Sequence, residues 1–149
     1  MNREISKKIK IRQTPKKIYR SLITPSSITH WWEAKSAIVI EEIGGIYVIS
    51  WGNNIDDPDF TTVSKIAELT PNKQISLEYL SYKAKLGKLP FTSKMNVQFT
   101  INKIDSTVSE LTVKQSGIPT EKIADDYYNG CISGWESVLM NIKRFCESL

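Results

Sequence analysis

The chain has 149 residues, 40% hydrophobic and 24% charged, with a formal net charge of +4. That length fits one domain, with a core that needs no disulfide or metal to hold it. No apolar run approaches the roughly 20 residues that span a bilayer, and the opening MNREISKKIKIRQ lacks the apolar segment of a signal peptide.

The basic excess raises nucleic acid as a partner. Lys7, Lys8, Lys10, Arg12, Lys16, Lys17 and Arg20 crowd the N-terminus, and Lys83, Lys85, Lys88 and Lys94 bracket a later loop. The first group occupies polar positions of a strand and a helix, and no nucleic-acid motif accompanies it. Specific nucleic-acid binding is therefore not expected.

Residues 4–13 alternate, with Ile5, Ile9 and Ile11 on one side and Ser6, Lys8, Lys10 and Arg12 on the other. This is a half-buried strand. Lys7 interrupts the inner side, which suggests a frayed end. Thr14-Pro15 then supplies an N-cap and a first-turn proline for a short helix over 15–23, carrying Ile18, Tyr19 and Leu22. Thr24-Pro25 breaks it, and 26–31 forms one more helical turn ending in Trp31-Trp32.

From Lys35 the pattern turns strand-like, with strands near 36–42, 46–51, 61–69, 74–81, 93–102 and 108–115. Gly44-Gly45, Asn53-Asn54, Asp56-Asp57-Pro58-Asp59, Pro71-Asn72 and Asp105-Ser106 mark turns. Lys83 to Pro90 forms a longer basic loop around Gly87. The cleanest alternation sets Met95, Val97, Phe99 and Ile101 against Lys94, Asn96, Gln98, Thr100 and Asn102. One face on a core and one in water is the mark of an antiparallel sheet.

The last stretch, Thr120 to Leu149, reads as a single helix about 45 Å long, capped by Thr120 after Pro119. Ala124, Tyr127, Tyr128, Cys131, Ile132, Trp135, Val138, Leu139, Ile142, Phe145, Cys146 and Leu149 share an arc of roughly 140°. Only this helix is long enough to cover the inner face of such a sheet. The fold expected is α+β: a seven-stranded antiparallel sheet wrapped around a long C-terminal helix, with two short helices between strands one and two. A strongly twisted sheet cannot pack flat against one helix everywhere, which favours a cavity between them.

Several stretches carry a resemblance. They are Thr14-Pro15-Lys16-Lys17-Ile18-Tyr19-Arg20-Ser21-Leu22, Thr24-Pro25, Trp31-Trp32, Gly44-Gly45-Ile46-Tyr47 and Glu68-Leu69-Thr70-Pro71-Asn72-Lys73. Gly134-Trp135 with Val138, Leu139 and Ile142 completes them. In this order the chain resembles the START-like, helix-grip (SRPBCC) superfamily, and within it the family named after the activator of Hsp90 ATPase. The resemblance implies a helix-grip fold and a hydrophobic small molecule or lipid as ligand. It also implies two alternatives: a co-chaperone-like protein whose partner is an Hsp90-type chaperone, and a cyclase or hydrolase using the same cavity. The eukaryotic co-chaperone carries a separate N-terminal domain, whereas this chain opens on its first strand, which counts against ATPase stimulation.

The strand phases turn Tyr47, Ile49 and Trp51 inward on one strand and Ile75, Leu77 and Tyr79 on another. With Phe99 and the helix residues they make an aromatic interior with a few polar handles, as a small-molecule pocket requires. The same rings would serve equally to fill a solid core, and both readings stand at this point. If a pocket exists, its expected lining is Trp32, Tyr47, Trp51, Tyr79, Phe99, Tyr127, Cys131 and Trp135, with Trp32 at the mouth. Gly130 and Gly134 lie i, i+4 on one flank of the helix, for close packing or for room at a pocket mouth.

No catalytic residue, metal or cofactor is assigned. His30 has no metal-ligating or catalytic neighbours in sequence, and Asp56, Asp57 and Asp59 lack the rest of a calcium loop. Cys131 and Cys146 would stand about 22 Å apart on the helix, beyond the roughly 7 Å that a disulfide spans. Two unpaired thiols suit a reducing cytoplasm.

Overall fold

The computed structural model describes residues 1–149. Seven strands form one antiparallel sheet in the order β1-β7-β6-β5-β4-β3-β2. They are β1 (Asn2–Ile11), β2 (Ser36–Val39), β3 (Ile46–Trp51), β4 (Phe60–Thr70), β5 (Gln74–Ala84), β6 (Asn96–Lys103) and β7 (Ser109–Pro119). Strands β2 to β7 are a meander, each pairing with its neighbour in sequence. β1 instead pairs with β7 at the far edge. Two short helices, α1 (Pro15–Ile23) and α2 (Pro25–Trp31), carry the chain from one sheet edge to the other.

The helix signals act as their chemistry requires. The Thr14 side chain accepts the Lys17 N–H at 3.4 Å, and Pro15 opens the first turn of α1. Ile18, Tyr19, Leu22 and Ile23 bury the inner side of α1. Two ring groups anchor the pair of helices. The Trp31 indole donates to Ser21 O at 2.8 Å, and the Tyr47 hydroxyl donates to Leu22 O at 2.7 Å.

The turn after β2 places Gly44 at φ +85°, a conformation that favours glycine. The second glycine with such a need is Gly117 in β7, at φ +89°, where a Cβ would collide with Lys94 O. Register shifts interrupt the β4–β5 pairing at Val63/Ser64 and Ile66/Glu68, and the β1–β7 pairing between Arg3 and Ile5. Such irregularities increase the local twist and help the sheet curve around the helix.

The last helix, α3, runs Asp125–Glu147 after a 3₁₀ turn at Lys122–Ala124. It therefore starts five residues later than expected from Thr120, and its 23 residues span about 35 Å. The cause is strand pairing. β7 continues to Pro119 because Asn2 and Arg3 pair with Pro119 and Ile118, and the Arg3 guanidinium donates to Pro119 O at 2.7 Å. Thr120 then caps no helix; its hydroxyl contacts Met1 O at 3.3 Å. β2 stops at Val39, before the turn that ends in Gly44-Gly45. β6 begins at Asn96, although Met95 before it is still buried and accepts the Tyr79 N–H at 3.0 Å.

Lys7 is not frayed. It pairs with Val113 in the middle of β1, and its ammonium reaches Glu136 of α3 at 3.0 Å. An inward lysine is tolerated there because its stem packs while its charge meets a carboxylate at the rim.

A row of contacts ties α3 to β1 and the residues just after it. Besides Lys7–Glu136, Arg3 pairs with Asp125 at 2.9 Å, and the Lys143 ammonium donates to Lys10 O at 3.0 Å. The Arg12 N–H donates to Glu147 at 2.8 Å, and the Gln13 amide donates to Cys146 O at 3.0 Å. On a wheel of about 100° per residue, Asp125, Glu136, Lys143 and Glu147 share one flank. Tyr127, Gly130, Gly134 and Val138 lie on the other.

Between these flanks Trp135, Leu139, Ile142 and Cys146 are buried in a core cluster of 25 residues. Trp135 is 6% exposed, stands edge-on to Phe99 at 5.9 Å, and donates its indole N–H to Gln115 at 2.7 Å. No helix is long and apolar enough to cross a membrane. Trp135→Ala is expected to cost about 3–5 kcal/mol, because it empties an aromatic site and orphans the Gln115 carbonyl. Urea melts of mutant and wild type measure this, and a loss under about 1 kcal/mol would contradict the packing described.

Candidate functional site

On the flank of α3 that faces away from β1, helix and sheet separate. The cleft between them has a volume of about 330 Å³ and is lined by Trp32, Tyr79, Gln115, Tyr127, Gly130, Cys131, Gly134, Trp135 and Val138. That is at the lower end of the roughly 300–1,000 Å³ typical of small-molecule sites.

Five of the eight expected residues meet here: Trp32, Tyr79, Tyr127, Cys131 and Trp135. The other three stand outside the lining. Trp51 backs the wall, with its ring edge-on to Trp32 at 5.4 Å and its indole donating to Trp32 O at 3.1 Å. Phe99 lies behind Trp135. Tyr47 points inward as its strand phase requires, but its hydroxyl is engaged by Leu22 O beneath the short helices. Trp32 itself stacks on Trp31 at 5.0 Å and tilts toward Trp135 at 5.8 Å. At the N-terminal end of α3, Phe91 of the β5–β6 loop stands edge-on to Tyr127 at 5.3 Å.

Sequence reasoning missed Gln115 and Val138 as lining residues, and left the role of the glycine flank open between close packing and room at a pocket mouth. Gln115 had a signal: it follows Leu111 and Val113 in the inward phase of β7, and a polar residue in that phase needs partners. It is 1% exposed. Its amide nitrogen donates to the Tyr127 hydroxyl at 3.1 Å and lies 3.8 Å from Met95 Sδ, while its carbonyl accepts from Trp135. Gly130 and Gly134 do not serve close packing: a Cβ built on either meets nothing within 4 Å. Both border open space instead. Other expectations resolve elsewhere. His30 packs against Phe145 at 5.1 Å, outside the cleft. Asp57 and Asp59 clamp Lys85 at 2.9 and 3.2 Å.

No lysine, arginine, aspartate, glutamate or histidine lines the cleft. Its ionisable groups are held neutral. Burial pushes the Tyr79 and Tyr127 phenols well above their ordinary value and raises the Cys131 thiol too. The arrangement can hold an apolar body and offer it neutral hydrogen-bonding groups.

Residues 12–147 match the family model described as activator of Hsp90 ATPase homolog 1-like protein. The chain belongs to that family. Protein MLL2253 from Mesorhizobium loti has a similar structure, with 22% identity, a TM-score of 0.74 and 96% of each chain covered. The Aha1 dimer from Colwellia psychrerythraea matches at 19% identity and a TM-score of 0.68, over 97% of this chain and 96% of that one. The Zhui aromatase/cyclase from Streptomyces sp. R1128 matches at 12% identity and a TM-score of 0.74, over 99% and 94%. These likenesses establish the helix-grip fold. No curated protein sequence matches the chain.

Two expectations test the site's physics. Gly130→Ala and Gly134→Ala should each raise the unfolding free energy by about 0.5–1 kcal/mol, since alanine gains helix propensity and meets no neighbour. A loss of stability in either would mean that the flank is packed. The second concerns alkaline pH. Burial raises Tyr47, Tyr79 and Tyr127, and burial followed by the hydrogen bond to Glu41 pushes Tyr19 up to about 12. A tyrosine raised in the folded state contributes stability that is whole below its unfolded value of about 10. That contribution is lost as pH rises through the folded value. Urea midpoints should fall steadily above about pH 10, less so in Tyr79→Phe, and a flat profile to about pH 12 would contradict the assignment.

Proposed function

We propose that this protein binds a hydrophobic small molecule or lipid in the cleft between α3 and the sheet. The observation that carries the reading is the open space along Gly130 and Gly134. Two glycines in the middle of a helix sacrifice stability, and nothing packs against them in return. The aromatic walls of Trp32, Tyr79, Tyr127 and Trp135 supply the apolar surface. The residues of the proposed ligand site are these four with Cys131; Trp51 packs against Trp32 and Phe99 against Trp135 from outside the lining, while Tyr47 is engaged beneath the short helices. Two free cysteines support a reducing, cytoplasmic setting.

A second reading is an interaction protein acting on an Hsp90-type chaperone, in keeping with the family's description. The observation that favours it is apolar surface away from the cleft. Ile38, Ile40, Ile43 and Ile46 are exposed around the β2–β3 turn, where Ile38 pairs with Val48 and the Ile40 N–H bonds Ile46 O. A cyclase-type reading would draw its acid–base groups from Tyr47, Tyr79, Tyr127, Tyr128 and His30; of these only Tyr79 and Tyr127 line the cleft, and burial keeps both phenols neutral.

An environment-sensitive apolar dye separates the first two readings. It is expected to bind, to quench the fluorescence of Trp32 and Trp135, and to be displaced by Cys131→Phe. Substitution of Gln98, on the outer face of β6, should leave its binding unchanged. Dye binding that ignores Cys131→Phe, or no binding at all, would favour the surface reading.

A further inference from the structure

We infer that the cleft selects for charge: it takes an uncharged, flat ligand lying along the Gly130–Gly134 flank, with a neutral oxygen toward Tyr79, and it rejects the corresponding carboxylate. This rests on the ligand-binding reading above and deepens it.

The shape comes from the helix. Gly130 and Gly134 stand one turn apart, about 6 Å along the axis. Without side chains they leave a strip of bare backbone facing the opening, with no atom beyond the adjacent helix backbone and chain neighbours within 4 Å of where either Cβ would project. Trp32 and Trp135 line the same space, their rings 5.8 Å apart and tilted by 43°. A flat body fits such a slot, and a bulky branched one does not.

The charge preference comes from what the lining offers. None of the nine lining residues carries a formal charge. A carboxylate or ammonium would lose hydration with no counter-ion to replace it. Gln115 cannot supply the deficit: its amide nitrogen is committed to Tyr127 and Met95, and its carbonyl to Trp135.

Tyr79 differs from its neighbours. Every fully buried side-chain nitrogen or oxygen in the protein has a partner, whereas the Tyr79 hydroxyl makes no hydrogen bond within the protein and borders the cleft. It offers a ligand one proton to give and lone pairs to accept. A carbonyl or hydroxyl oxygen satisfies it without bringing charge into an apolar slot.

The test compares 2-naphthol with 2-naphthoate, two flat probes of similar size that differ in charge at about pH 7.5, by isothermal titration calorimetry. 2-Naphthol is expected to bind at least about tenfold more tightly than 2-naphthoate. Tyr79→Phe should weaken 2-naphthol about fivefold, and Gly134→Leu, which fills the slot, should abolish its binding. Circular dichroism checks that both variants are folded. If 2-naphthoate binds as well as 2-naphthol and both are lost in Gly134→Leu, the charge selection is overturned while the cleft remains a ligand site. If Tyr79→Phe leaves the 2-naphthol affinity unchanged, the assignment of the polar handle is overturned. If neither probe binds, or binding ignores Gly134→Leu, the ligand-binding reading fails and this inference fails with it.

Discussion

One-sided fastening of α3 is the constraint from which the remaining geometry follows. Charged and polar groups on one flank reach β1 and the residues just beyond it, from Arg3–Asp125 at one end to Gln13–Cys146 at the other. Exposed ion pairs of this kind contribute little energy individually. Their effect is to set orientation. They draw the helix toward one edge of a curved sheet, and the sheet's curvature then carries its middle strands away from the helix's other flank. The space that opens is the cleft.

The wall of that cleft is held by a polar device inside an apolar core. Gln115 links Trp135 to Tyr127, joining two turns of α3 to β7 through one buried amide. A buried polar group costs stability when a partner is missing, but with partners on both ends it specifies one arrangement of the rings. The Trp32, Trp51 and Phe99 rings then pack edge-on or tilted around Trp135 and its neighbours. Packed aromatic walls and an open glycine flank occur together along this side of the helix.

Much of the fold was legible because it depends on short-range chemistry. Alternation named Tyr47, Ile49, Ile75, Leu77, Met95, Val97, Phe99 and Ile101 as inward, and all are buried, whereas Trp51 and Tyr79, named with them, are half-buried. Thr14-Pro15 and Thr24-Pro25 bounded α1 through capping and the geometry of proline. The start of α3 was not legible. Residues 116–119 carry no strand signal of their own and are held in β7 by pairing with residues at the other end of the chain. Lys7 is a similar case: its charge suggested an end, but the carboxylate that receives it lies on a helix more than a hundred residues away.

The sequence by itself determined which side chains face inward and which helix must cover them, because periodicity depends only on backbone geometry. It also determined the family, through short motifs kept in order along the chain. Which inward residues touch an opening was decided only by tertiary structure. Tyr47 and Tyr79 have the same phase on their strands, yet one hydroxyl is taken by Leu22 O and the other is free at the cleft. Gly130 and Gly134 read more readily as packing sites than as space until the neighbouring segments are in place, and the structure leaves both open. The difference lies in where a distant strand sits relative to a helix flank, and no local pattern encodes that distance.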